Sequence, residues 1–168
     1  MNGASDPCRI IFICTGNICR SPAAENIFRE YAARAGILDD LEIDSAGTGD
    51  WHEGQPPDHR SASALRTAGY ADDGVARGLR AHDFSRHDLF VCMDRSHLRE
   101  VVARGAASDR VVLLRQFDES RGHDDVPDPY YGGEDGFTEM IGMIEATMDG
   151  LVARVRTELA KRGGARGT

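Results

Sequence analysis

Cys14 and Arg20 stand six positions apart at the two ends of Cys14-Thr15-Gly16-Asn17-Ile18-Cys19-Arg20, directly behind the apolar run Ile10-Ile11-Phe12-Ile13. A thiol that opens a tight loop and a guanidinium that closes it suggest sulfur attack on a phosphorus centre. The thiol is a nucleophile only once deprotonated. Amides at a helix N-terminus, the Arg20 cation and a hydroxyl donor from Ser21 all favour the thiolate. The same groups suit a phosphate dianion, with Arg20 gripping two oxygens at once. Rate is gained if these donors fit the equatorial oxygens better in the transition state than in the ground state.

The loop has to sit between a buried strand and a helix. Residues 9–13 read as the strand, and Ser21-Pro22 mark the start of a helix over 23–35 that Gly36 ends. The same alternation continues with a strand over 41–46 and its loop Gly47-Thr48-Gly49, then a helix over 58–68 that stops at Gly69. A strand over 89–93, a helix over 96–103 and a strand over 111–114 follow. Phe137, Met140, Ile141, Ile144, Met148, Leu151, Val155 and Leu159 repeat at three- and four-residue steps and predict one long final helix. Strands alternating with helices imply a parallel sheet covered on both faces, with ligands bound beyond the carboxyl ends of its strands. That edge would gather the Cys14 loop, residues 47–51 and Met93-Asp94-Arg95-Ser96. Residues 117–136 lack periodicity and are rich in Asp, Gly and Pro, as functional loops often are.

A chain of 168 residues suits one domain, 1–168, with 1–7 and 163–168 expected to be flexible. No apolar run is long enough to cross a bilayer, and Met1 to Pro7 lacks the order of a secretory signal, so a cytoplasmic location without membrane attachment is the expectation. A net charge of −8 argues against a nucleic-acid partner, so an anionic substrate has to be drawn by a local site. Of the four cysteines, Cys8 lies near the start and Cys92 in an apolar run, which leaves Cys14 and Cys19 as the chemical pair. A nucleotide loop would end in Lys-Ser/Thr, which is absent. Cys14 and Cys19 are spaced too widely for a zinc knuckle and no second ligand pair follows, so no metal and no cofactor is expected. His82, His87 and His97 read as surface or helix residues.

The run from Cys14 to Glu25 resembles the signature of the low-molecular-weight protein tyrosine phosphatases. So do Asp44-Ser45-Ala46-Gly47-Thr48 leading into Asp50-Trp51-His52, the pair Met93-Asp94, and Asp128-Pro129-Tyr130-Tyr131-Gly132. The resemblance covers nearly the whole chain. It implies an α/β fold, a three-layer αβα sandwich with a central four-stranded parallel sheet of the phosphatase I-like kind. It implies a phosphatase hydrolysing phosphotyrosine and small aryl phosphates through a cysteinyl-phosphate, a monomer whose product phosphate also inhibits. Cys14 would be the nucleophile, Arg20 the phosphate clamp and Asp128 the acid that protonates the leaving phenol oxygen and then activates water. Thr15, Gly16, Asn17, Ile18 and Cys19 would complete the cradle, Asn17 with a positive φ. Ser21 would donate to the thiolate, Ser45 and Asp94 would order the loop and Arg20, and Trp51, Tyr130 and Tyr131 would wall the cleft. Independently, a phenolate leaving group needs an acid and the later hydrolysis a base, and one carboxyl can serve both. Asp128, stiffened between Pro127 and Pro129, competes for that role with Asp124, Asp125 and Asp135.

The resemblance also implies that Cys19 can form a disulfide with Cys14 under oxidation. One departure is plain. The family often carries His-x-Ala-Arg-Gln before the third strand, with the His holding the loop Asn, whereas this chain has Gly74-Val75-Ala76-Arg77-Gly78. Two rivals are weighed. An arsenate reductase would need further relay cysteines, and only Cys92 lies in the right region. A non-catalytic phosphotyrosine-binding module would be expected to have lost the nucleophile, the arginine or the acid.

Overall fold

The computed structural model describes residues 6–120, 125–130 and 132–164. Strands β1 (Cys8–Cys14), β2 (Leu41–Gly47), β3 (Leu89–Cys92) and β4 (Val111–Leu113) form one parallel sheet in the order β2-β1-β3-β4. Helices α1 (Arg20–Arg34), α2 (His59–Thr67), α3 (Asp83–Arg86), α4 (Arg95–Ala103), α5 (Glu134–Glu145) and α6 (Met148–Gly164) flank it, with short 3-10 turns at Leu38–Asp40, Ser108–Arg110 and Leu114–Phe117. Alternation along β1 explains the layering. Ile10, Phe12 and Cys14 face a core shared with α1, α5 and α6, while Ile11 and Ile13 face a second core with Phe90, Cys92 and Val101. Being buried on both faces, β1 has to read as a continuous apolar run. Each buried Ile or Phe contributes about 1.5–3 kcal/mol, and the Phe12 and Phe28 rings pack at 5.6 Å between centroids.

The long final helix of the sequence reading is two helices, α5 and α6. The chain turns at Ala146-Thr147, where the buried Thr147 hydroxyl donates to Ile144 O at 2.6 Å and its N–H donates to the same carbonyl at 3.0 Å. The apolar face stays in phase across the break because Ile144, Met148 and Leu151 all enter the same core. Gly150 lets α6 press on the turn 114–117, since a Cβ there would lie 2.7 Å from Phe117 O.

Three smaller expectations also change. Strand β1 begins at the buried Cys8, one residue before the strand read over 9–13, and runs one residue past it to Cys14. Helix α1 begins at Arg20, one residue before Ser21-Pro22. Asp6 and Pro7 are tied down, their carbonyls accepting from Arg162 Nη1 at 3.1 and 3.2 Å, while α6 carries Arg162 and Gly163 in helix. The remainder of the two termini expected to be flexible, 1–5 and 165–168, lies outside the described residues. Among the described residues no helix is long and apolar enough to cross a membrane, and no group of His, Cys, Asp and Glu could hold a metal ion.

Candidate active site

The sheet's carboxyl edge gathers what the sequence scattered. Cys14 ends β1 opposite Gly47, the last residue of β2. The turn after β2 binds the loop directly, through Thr48 N–H to Cys14 O at 2.9 Å and Gly49 N–H to Thr15 O at 3.0 Å. Asp58 N–H donates to Ile18 O at 2.8 Å from the other side. Cys19 flanks α1 without a side-chain cap, so the amides of the first turn face an anion site at the positive end of the helix.

Proton positions in the loop follow from a chain of acceptors and donors. Asn17 holds φ 59°, a left-handed conformation that Asn tolerates. Its Oδ1 accepts from Arg77 N–H at 3.0 Å, which fixes the orientation of the amide. Its Nδ2 therefore donates twice, to Ser21 Oγ at 2.7 Å and to Ser45 Oγ at 3.0 Å. The Ser45 hydroxyl in turn donates to Glu25 Oε1 at 2.6 Å. Ser21 Oγ, which accepts from Asn17, lies 2.9 Å from Cys14 Sγ, within hydrogen-bond reach of the sulfur.

Gly74 stands where the family's His is expected, and Arg77, three positions on, reaches Asn17 through its backbone N–H. Its guanidinium binds both oxygens of Asp83, at 2.9 and 3.0 Å, and Asp44 Oδ2 at 2.8 Å. Asp83 is fully buried. Burial works against its charge, yet hydrogen bonds from His87 and Arg77 hold its carboxyl far below the usual range. This ion pair clamps the backbone N–H that holds Asn17.

Arg20 is also buried and anchored. Its Nη1 donates to Asp94 Oδ2 at 2.8 Å and to Val126 O at 3.0 Å, and its Nη2 donates to Thr15 Oγ1 at 3.2 Å. Despite burial, hydrogen bonds from Ser96 and Arg20 hold Asp94 at a pKa of about 2. Burial pushes the Cys19 thiol well above the ordinary range, so it stands beside Cys14 in the protonated form.

The same Val126 stitches the aperiodic segment to the site, because its N–H donates to Met93 O at 2.8 Å. Two residues on, Asp128 Oδ2 lies 3.7 Å from Arg20 Nη2, and Asp128 Oδ1 accepts from Tyr130 N–H at 3.0 Å. Of the competing carboxylates, Asp125 binds Arg95 N–H at 3.1 Å outside the cleft, and Asp124 lies outside the described residues. Trp51 lies over Gly49, where a Cβ would come within 2.0 Å of its ring. Cys14, Arg20, Trp51, His52, Asp128 and Tyr130 line one cleft of about 360 Å³, together with Thr15, Gly16, Ile18 and Cys19. Tyr131 lies outside the described residues. A larger hollow of about 520 Å³ between α2 and α5 contains none of the loop.

Sequence reasoning missed Glu25, Arg77, Asp83 and His97. His97 is buried, with Nε2 2.8 Å from Thr15 Oγ1 and Nδ1 accepting from Asp94 N–H at 3.1 Å. The Asp94-Arg95-Ser96-His97 spacing at a helix start is a capping signal that could have found it. Glu25 carried the signal of an i,i+4 pair with Arg29, whereas nothing local marks Arg77 and Asp83.

The family model described as "low molecular weight phosphotyrosine protein phosphatase" matches residues 9–161. A relative from Streptomyces coelicolor, named low molecular weight protein-tyrosine-phosphatase, is 48% identical over 92% of this chain and 97% of its own. The low molecular weight protein-tyrosine phosphatase A of Mycobacterium tuberculosis is 42% identical over 95% of this chain and 98% of its own. Among solved structures, a protein tyrosine phosphatase from Entamoeba histolytica with Hepes in its active site superposes with a TM-score of 0.86. It is 32% identical and covers 90% of this chain and 98% of its own.

Proposed function

This chain belongs to the low molecular weight phosphotyrosine protein phosphatases and is a hydrolase, and from that premise we propose how its own residues divide the reaction. The observation that carries the reading is the convergence of Cys14, Arg20 and Asp128 in one cleft walled by Trp51 and Tyr130. The Cys14 thiolate attacks phosphorus while the loop amides and Arg20 hold the equatorial oxygens. As the P–O bond breaks, Asp128 gives its proton to the phenol oxygen, leaving a cysteinyl-phosphate. The Asp128 carboxylate then takes a proton from water, which attacks phosphorus and releases phosphate and the thiolate. The substrates are phosphotyrosyl proteins and small aryl phosphates, met in the cytoplasm by a monomer that product phosphate inhibits.

The cysteine geometry speaks against arsenate reduction, since Cys92 is buried in β3 and Cys8 lies at the opposite end of β1 from Cys14. The retained nucleophile, arginine and acid speak against a mere binding module. Hydrolysis of p-nitrophenyl phosphate is the test. Cys14→Ser abolishes turnover, and Asp128→Asn lowers kcat by about 10²–10⁴ while phosphate-analogue binding persists. Undiminished turnover in Cys14→Ser sinks the mechanism.

A further inference from the structure

We propose that His97 is a positioning residue acting through Thr15: it orients the Thr15 hydroxyl as a donor to the bound phosphoryl group. The inference rests on the phosphatase reading above and adds two side chains to it.

The argument is an accounting of hydrogens. His97 Nδ1 lies near two groups of Asp94, the backbone N–H at 3.1 Å and carboxylate Oδ1 at 3.3 Å. Oδ1 already accepts from Ser96 N–H, the Ser96 hydroxyl and His97 N–H. The Nδ1 lone pair is therefore what the Asp94 N–H meets, and the neutral ring carries its hydrogen on Nε2. Nε2–H then donates to Thr15 Oγ1 at 2.8 Å, and Arg20 Nη2 donates to the same oxygen at 3.2 Å. With both acceptor positions of Oγ1 filled, the hydroxyl hydrogen cannot turn back toward the protein. Thr15 is exposed and lines the cleft beside Cys14, so that hydrogen is directed into the space a phosphoryl group would fill.

A fixed donor aimed at developing charge costs no reorganisation in the transition state. The contact to Arg20 ties the same hydroxyl to the clamp, so His97 also restrains the guanidinium. His97 is itself buried and reaches the cleft only through Thr15.

The test is a double-mutant cycle on kcat for p-nitrophenyl phosphate, with the inhibition constant of inorganic phosphate as a second readout. Thr15→Val keeps the shape, removes the donor, and lowers kcat about fivefold to tenfold with weaker phosphate inhibition. Thr15→Ser, which keeps the hydroxyl, runs several-fold faster than Thr15→Val. His97→Asn retains an acceptor for Asp94 N–H but falls short of Thr15, and lowers kcat about fivefold. His97→Gln, which can accept and donate at once, recovers part of that loss. The double variant Thr15→Val/His97→Asn is no slower than Thr15→Val alone. Multiplying losses, or a Thr15→Val protein with unchanged kcat and phosphate inhibition, overturns the proposal. Such results leave the Cys14 mechanism standing, whereas turnover in Cys14→Ser would remove that mechanism first.

Discussion

At the floor of the cleft Asn17, Arg20 and Ser21 are each at most 3% exposed, whereas at its rim Trp51 is 69% and Tyr130 38% exposed. The floor is held by bonds that reach deep into the fold, from Asn17 to Arg77 and Asp83, and from Arg20 to Asp94. The rim is held more lightly, by a Trp ring lying on Gly49 and by an Asp128 whose carboxylate is bound to the next loop amide but one. The contrast separates two tasks. Phosphate geometry is the same in every substrate, so its donors can be fixed before binding. On the proposed mechanism the leaving group and the attacking water change places during the reaction, so Asp128 and the aromatic side chains at the rim would have to stay accessible to both.

Breaking the floor should therefore cost more than breaking the rim. Asn17→Ala removes three hydrogen bonds and puts a less tolerant residue at φ 59°. We expect kcat to fall about a hundredfold, as it does when reacting groups are misplaced by an ångström or so. Steady-state kinetics on an aryl phosphate reads it directly. A loss confined to KM would mean that the loop keeps its shape without Asn17.

A deeper cut tests whether the clamp on Arg77 matters to the floor. Asp83→Asn leaves the Arg77 guanidinium with Asp44 as its charged partner, and breaking a buried pair costs about 3 kcal/mol. Urea unfolding should show that loss. In the folded variant kcat should fall less than in Asn17→Ala, because Asp83 acts on Asn17 only through the Arg77 backbone. Wild-type stability would show that Asp44 alone suffices.

The two regions also differ in how far the sequence discloses them. The strand, the Cys14 loop and α1 are legible because a buried parallel strand has to be apolar throughout, and because thiol and guanidinium stand in one short run. The sheet and its flanking helices follow from the alternation of periods. Asp128 is hardly distinguishable from its acidic neighbours by local chemistry, and the resemblance to a family singles it out. What stays hidden is who braces the loop. Arg77 N–H meets Asn17 across 60 positions, and His97 meets Thr15 across 82. No local pattern encodes such a pair. The break between α5 and α6 is hidden for another reason, since periodicity reports which residues are buried and both helices bury theirs in the same core.

At the rim the expected effects are on binding and on substrate choice. Trp51→Ala should raise KM for a phosphotyrosyl peptide about fivefold to tenfold, the worth of one aromatic contact, with kcat little changed. An alkyl phosphate, which offers no ring to stack, should show almost no change in KM. Equal losses on both substrates would move Trp51 from the rim to the floor, as a brace for the turn at Gly49.

The smallest expected effect distinguishes floor from rim by acid sensitivity. Burial pushes His97 down to a pKa of about 4 from an ordinary 6.5. Arg20 works in the same direction, against the pull of Asp94, Asp128 and Asp125. The folded value lies below the unfolded one, so as pH falls the unfolded chain takes up the proton first. Stability is thus fully present above pH 6.5 and is lost as pH falls from 6.5 toward 4. Between pH 7 and pH 5.5 the loss amounts to about 1 kcal/mol, before most carboxylates begin to titrate. Urea midpoints measured over this interval should fall more in the wild type than in His97→Gln, which has no ring to protonate. Trp51→Ala, altered at the rim, should follow the wild-type slope. Parallel curves for wild type and His97→Gln would mean that the ring beneath Thr15 is already protonated in the folded state near pH 6, with Asp94 rather than Thr15 as its main partner.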